Sequence, residues 1–284
     1  MTSMSATVPM AVASVASTRP VSWARVARSE WIKLTTIRST FILLGMTGVL
    51  IVGVWALGST GFRQDPSAGD FADGSGLVLN PYSVGLTISI GLAQLAAGVL
   101  GVVLVTNEYA SGMIRATFAA VPARTPVLLA KAAVLGLAVL AVAIPALFAA
   151  FFVSGAILPA GLVQRIGDPA MLRALVGGGL YLAGIAVIGA SLGWMLRSAA
   201  GAIATFVGLV ILLPMLLPLI PLDAVQTVGD YLPSVVGQEV FRLPGLFDDL
   251  TRSGIAPWTG FAIFLGYVLA GLAAAAVVLR RRDA

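Results

Sequence analysis

A chain of 284 residues that is 59% hydrophobic and only 10% charged, with a mean hydropathy of +1.01, lies outside the range of soluble globular domains and reads as an integral membrane protein. It contains no Cys and no His, which removes disulfides, thiol nucleophiles, imidazole bases and the usual zinc or haem ligand sets. Its lysines, Lys33 and Lys131, lack the upstream glycine spacing of a phosphate-binding loop, so any use of ATP falls to a partner.

A helix needs about 20 apolar residues to cross the ~30 Å hydrocarbon layer, and only helices or closed barrels satisfy their backbone groups there. The apolar runs here are uninterrupted rather than alternating, which selects helices. The expected fold is all-α: six transmembrane helices, an N-terminal interfacial elbow helix, and a re-entrant helical segment between spans five and six.

Residues 1–20 carry no charge before Arg19, unlike the basic start of a secretory signal, and read as a disordered cytosolic tail. Residues 21–284 form a single six-span domain. Between Val21 and Ser39 a helical wheel places Val26, Ile37, Trp23, Leu34, Ala27 and Trp31 on one face and Arg25, Arg28, Ser29, Lys33, Thr35 and Thr36 on the other. This pattern predicts a helix lying on the headgroups with its tryptophans at the polar boundary; a solvated lead-in to the first span is the plainer alternative. Glu30 breaks the apolar face and Ile32 the polar one. A carboxylate at that position needs a partner, and Lys33 or a loop arginine is expected beside it.

The spans are expected at about 41–59, 84–105, 126–158, 174–196, 199–221 and 258–279. Gly61 to Pro81, glycine-rich and bearing Asp65, Asp70 and Asp73, reads as a mobile link. Pro145 is the expected kink of the third span. In the fourth, Gly189-x-x-x-Gly193 allows close helix approach, either between chains or, more simply, within one. Arg197-Ser198 permits only a helical hairpin, and Pro214, Pro218 and Pro221 make the end of the fifth span irregular. Leu222 to Pro257 is too broken and too acidic to span, and short amphipathic helices fit it.

Lys and Arg divide 12 against 5 across alternate sides of this arrangement, which places both termini in the cytoplasm. No Asp, Glu, Lys or Arg lies within an apolar core apart from Lys131 at the lip of the third span, whereas proton-coupled transporters and voltage-gated channels need ionisable groups at depth. Thr87, Ser89, Gln94, Tyr181, Ser191 and Thr205 are the polar span residues, lining a path or bonding neighbouring helices. A membrane-embedded enzyme would have to use Asp230, Glu239, Asp248 and Asp249, which are scattered and have no His partner.

Between the second and third spans lies a polar interruption, Asn107 to Lys131. It holds Glu-Tyr-x-x-Gly-x-Ile-Arg from Glu108, then Ala-Val-Pro-x-Arg, then Lys131 at the mouth of the next apolar run. Glu108 and Arg115 lie two helical turns apart and share a face if the segment stays helical. Gly112 allows close backbone approach, and Val121-Pro122 ends the helix. The plain reading is an ordinary positive-inside loop. The segment resembles, however, the cytoplasmic loop of type-2 ATP-binding-cassette exporter permeases, particularly the actinobacterial kind, and SEWIKLTTIRST resembles the elbow that precedes their first span.

That resemblance implies a permease subunit in a bacterial plasma membrane, with no catalytic, cofactor or metal residue of its own. Its partners would be an ATP-binding-cassette subunit carrying ATP and Mg, a second permease chain in a homo- or heterodimer, and the lipid bilayer, with no nucleic acid. Glu108, Tyr109, Gly112, Ile114 and Arg115 would then couple to the ATPase, and Trp23, Glu30, Trp31 and Lys33 would form the elbow. A non-transporting scaffold, such as a regulatory or immunity subunit of an exporter, is the alternative.

Overall fold

The computed structural model describes residues 22–65, 80–120, 124–243 and 254–281. The expected tail at 1–20, most of the acidic link after the first span, the Val121-Pro122 stop, Asp248, Asp249 and the extreme C-terminus lie outside the described residues. Every regular element among the described residues is helical. In chain order these are α1 (Trp23–Thr36), α2 (Arg38–Gln64), α3 (Pro81–Ala110), α4 (Met113–Ala120), α5 (Arg124–Ile157), α6 (Pro169–Leu196), α7 (Ala199–Val207), α8 (Leu213–Leu216), α9 (Asp223–Asp230), α10 (Pro233–Gln238) and α11 (Pro257–Arg281).

Among the described residues six helices are long and apolar enough to cross a membrane: α2, α3, α5, α6, the α7–α8 segment Ala199–Leu219, and α11. The protein therefore has the architecture of a multi-pass membrane protein. Local chemistry fixes the helix ends. The Asn80 side chain accepts from the Tyr82 and Ser83 amides with Pro81 in the first turn, and Asp168 caps α6 in the same way ahead of Pro169. Arg197, at φ 55°, closes α6 in the left-handed region, and the next residue, Ser198, caps α7, which completes the expected hairpin.

α2, α3 and α11 continue beyond the expected spans at both ends, and α6 begins five residues earlier, at Pro169. α5 runs through Pro145 to Ile157. The fifth span is irregular, as expected, but the disturbance begins earlier: Gly208–Leu212 is a π-turn, with the Leu213 amide bonding to the Gly208 carbonyl. Pro214 supplies no amide and its ring crowds the carbonyl four residues back, so widening the preceding turn relieves the conflict.

α3 and α6 form the centre. Their backbones touch: a methyl at Gly101 would overlap the Ala186 carbonyl, and one at Gly189 would overlap that of Gly98. Gly193 packs 3.1 Å from the Val102 oxygen by the same measure, so the glycine pair of the fourth span serves packing within the chain. Among the polar span residues, Ser89, Ser191 and Thr205 bond carbonyls of their own helices, and Tyr181 bonds Gln94 across the α3–α6 contact.

At one end, α10 packs against α6 and α11, with Gly237 set against the rings of Tyr181 and Phe264. Arg173 donates to the carbonyls of Val240, at 2.6 Å, and Arg242, at 3.0 Å, which fastens the chain after α10 to the start of α6. At the other end the Arg124 guanidinium donates to the Leu279 carbonyl at 2.6 Å, joining the start of α5 to the end of α11.

Candidate functional site

At this second end four ionisable side chains from three helices converge. Glu30 and Lys33 come from α1, Glu108 from the last turn of α3, and Lys131 from the second turn of α5. Lys33 Nζ lies 2.8 Å from Glu30 Oε1 and 3.0 Å from Glu108 Oε1. Lys131 ion-pairs with Glu30 and, at 2.9 Å, with Glu108 Oε1. Two carboxylates and two ammonium groups make a neutral cluster. It is also dry: Glu30, Glu108 and Lys131 are each at most 2% exposed, and only Lys33 reaches the surface.

Burying charges costs several kcal/mol per ion and is tolerated only when each has a partner. Glu108 is the most dependent of the four. It sits at the carbonyl end of α3, where the helix dipole opposes a negative charge, and its Oε2 has no hydrogen-bond partner among the described residues. Both lysines converge on its other oxygen. The cluster therefore binds α1, α3 and α5 to one another, and the Lys33 bond to Thr117 Oγ1 at 3.2 Å extends it to α4.

α4 is attached to the bundle by its apolar side as well. Ile114 and Phe118 are buried; Phe118 stacks on Trp194 at 6.3 Å, and Tyr109 meets the same indole edge-on at 5.8 Å. Two guanidiniums close the group, Arg124 over Phe118 at 5.3 Å and Arg197 over Tyr109 at 5.2 Å. The opposite side of α4, with Met113, Arg115, Ala116 and Ala119, is exposed.

The segment from Asn107 to Phe118 does not stay helical throughout. α3 stops at Ala110, and Gly112 takes φ 71° before α4 begins. This left-handed position ends a helix and favours glycine. Glu108 and Arg115 consequently do not share a face: the first is internal and the second external. The five loop residues thus divide into anchors, Glu108, Tyr109 and Ile114, a turn, Gly112, and one exposed charge, Arg115.

In α1 the buried line is Val26, Glu30 and Leu34, so the carboxylate does lie on the inward face, paired with Lys33 as expected. Trp23 and Trp31 are about half exposed and take no part in that inner line. What the sequence reading missed is the part played by Lys131. Its place at the lip of the third span was visible, but its pairing with Glu30, about a hundred residues earlier, depends on how α1 folds back against α5.

Burial works to lower the Lys33 pKa, but its bonds to Glu30 and the charge of Glu108 outweigh it, and the net shift is upward. A raised lysine pKa contributes stability that is complete below the ordinary lysine range and is lost as pH rises through the folded-state value. Alkaline titration beyond about pH 10.4 should therefore loosen α1, read as rising proteolytic cleavage near Ile37. The same titration of Lys33→Gln should show no such phase; an identical alkaline phase in that variant would assign it elsewhere.

Among the described residues no group of three or more metal-ligating side chains forms. The fold and the site together define an all-α, multi-pass membrane protein with a buried ion-pair cluster tying its first helix to the second and third membrane-length helices where the loop joins them. No protein-family model matches the sequence, and no curated protein matches it.

Proposed function

We propose that this chain is the membrane-spanning permease subunit of an ATP-driven ATP-binding-cassette exporter in a bacterial plasma membrane. A separate ATPase subunit, carrying ATP and Mg, docks on the cytoplasmic end at α4, and a second permease chain completes the translocation path. The observation that carries this reading is the construction of α4. It is a short helix with one side sunk into the bundle, the other exposed, and a rigid connection through the charge cluster to α1, α3 and α5.

A force applied to the exposed side of α4 passes through Thr117 and Lys33 to α1, and through Ile114, Phe118 and Trp194 to α6. Closure of the ATPase subunits on nucleotide would in this way tilt the spans as a group and switch access between the two permease chains. The elbow helix α1 lies along the membrane surface, and the segment holding α9 and α10 dips into the opposite leaflet as a re-entrant pair.

The test is gentle detergent purification of the tagged chain from its own host, with mass spectrometry of associated proteins. An ATP-binding-cassette subunit should co-purify, and Arg115→Glu should reduce its recovery at least tenfold while leaving the thermal midpoint of the permease unchanged. Absence of any such subunit, or its full retention by Arg115→Glu, would overturn the assignment.

A further inference from the structure

One pattern in the sequence occurs twice at the corner between α1 and α2. It reads Arg-Ser-x-aromatic-Ile, first as Arg28-Ser29-Glu30-Trp31-Ile32 and again as Arg38-Ser39-Thr40-Phe41-Ile42. The structure orients both copies alike. The middle residue, Glu30 or Thr40, is buried, which turns the arginine, the aromatic and the isoleucine outward. Trp31, Ile32, Phe41 and Ile42 are 49%, 50%, 58% and 67% exposed.

The two guanidiniums are open. Neither Arg28 nor Arg38 makes a hydrogen bond or ion pair with any described residue, in contrast to Arg173, which is occupied by backbone carbonyls. Among the described residues no acidic side chain pairs with them, and the Glu30 carboxylate, the nearest in sequence, is turned inward and held by Lys33 and Lys131. In each copy the apolar pair follows the arginine at i+3 and i+4 and so lies one turn along the same helix face. For α2, a membrane-length helix that starts at Arg38, this sets the charge at headgroup depth and Phe41 and Ile42 one turn deeper, among acyl chains.

From this arrangement we infer that the α1–α2 corner is a binding site for anionic phospholipid. Arg28 and Arg38 each take a phosphate-bearing headgroup, and the Trp31–Ile32 and Phe41–Ile42 pairs lie against the acyl chains. Guanidinium matches phosphate oxygens in a bidentate manner, and with no counter-charge on it among the described residues the corner selects lipids of net negative charge over zwitterionic ones. The site holds the α1–α2 corner at the membrane surface independently of any transport role.

The protein, reconstituted into nanodiscs of phosphatidylglycerol and phosphatidylcholine in equal parts and then released into detergent, should retain phosphatidylglycerol preferentially in native mass spectrometry. Each of Arg28→Gln and Arg38→Gln should lower that retention roughly fivefold. Arg281→Gln, which alters another exposed arginine at the same end but outside the pattern, should leave retention unchanged. Three results would each overturn the inference: equal retention of the two lipids by the wild-type chain, an equal loss in Arg281→Gln, or displacement of phosphatidylglycerol by inorganic phosphate, which would make this a site for free anions.

Discussion

Replacing Lys131 with methionine should cost the folded protein about 3–5 kcal/mol, the largest effect expected of any single charge removal here. The substitution keeps the length and apolar stem of the side chain, so the loss comes from charge alone. Glu30 and Glu108, both buried, would then share Lys33, and the cluster would carry a net negative charge in a dry site. The measurement is a thermal or denaturant unfolding curve in detergent, with a double-mutant cycle to Glu30→Gln. Removing both charges restores a neutral Lys33–Glu108 pair, so the combined loss should fall short of the sum of the single losses by about 0.5–3 kcal/mol. Strict additivity would show that the four side chains do not act as one group.

The second large effect is expected at the α3–α6 contact. Gly101→Ala and Gly189→Ala each place a methyl group against a backbone carbonyl of the facing helix rather than against a movable side chain. Neither helix can yield without separating from the other, so each substitution should cost about 3 kcal/mol, the upper end for overpacking. Gly53→Ala is the internal comparison. Nothing lies within 4 Å of the methyl it would add, and the better helix former should leave stability equal or slightly raised. Similar losses at all three positions would point to a general intolerance of alanine instead of close helix approach.

The six membrane-length helices were legible because each is a long apolar run, a signal that needs no partner to be read. The interior charges were only half legible. Glu30 stood out as a carboxylate on an apolar face, and Lys33, three residues on, was the local partner that helix geometry offers. Lys131 looked like an interfacial anchor, and Glu108 looked like a docking residue, since nothing local distinguishes a carboxylate facing an ATPase from one facing a lysine of the next helix. The break after Ala110 did carry a signal, the Ser111-Gly112 pair, which is a helix stop as well as a point of close approach. The fold uses the first property, with Gly112 in the left-handed region. Trp23 and Trp31 fell beside Val26 and Leu34 on the wheel, but a wheel cannot say which part of a broad apolar face meets protein and which stays outside it.

The π-turn at Gly208–Leu212 has one consequence for how this span fits its surroundings. A turn of that kind stores an extra residue, so the fifth span holds more chain than its height requires. Returning those residues to α-helical bonding would lengthen the helix by about 1.5 Å and rotate everything beyond Leu213 by roughly 100° relative to the part before it. Phe206, seated against Gly98, lies ahead of the turn and would keep its place while the distal part moved. Pro214 stands against that reversal, because in an unbroken α-helix its ring would meet the carbonyl four residues back, so the extra residue keeps the distal part of the span offset from the part that packs on the central pair of helices.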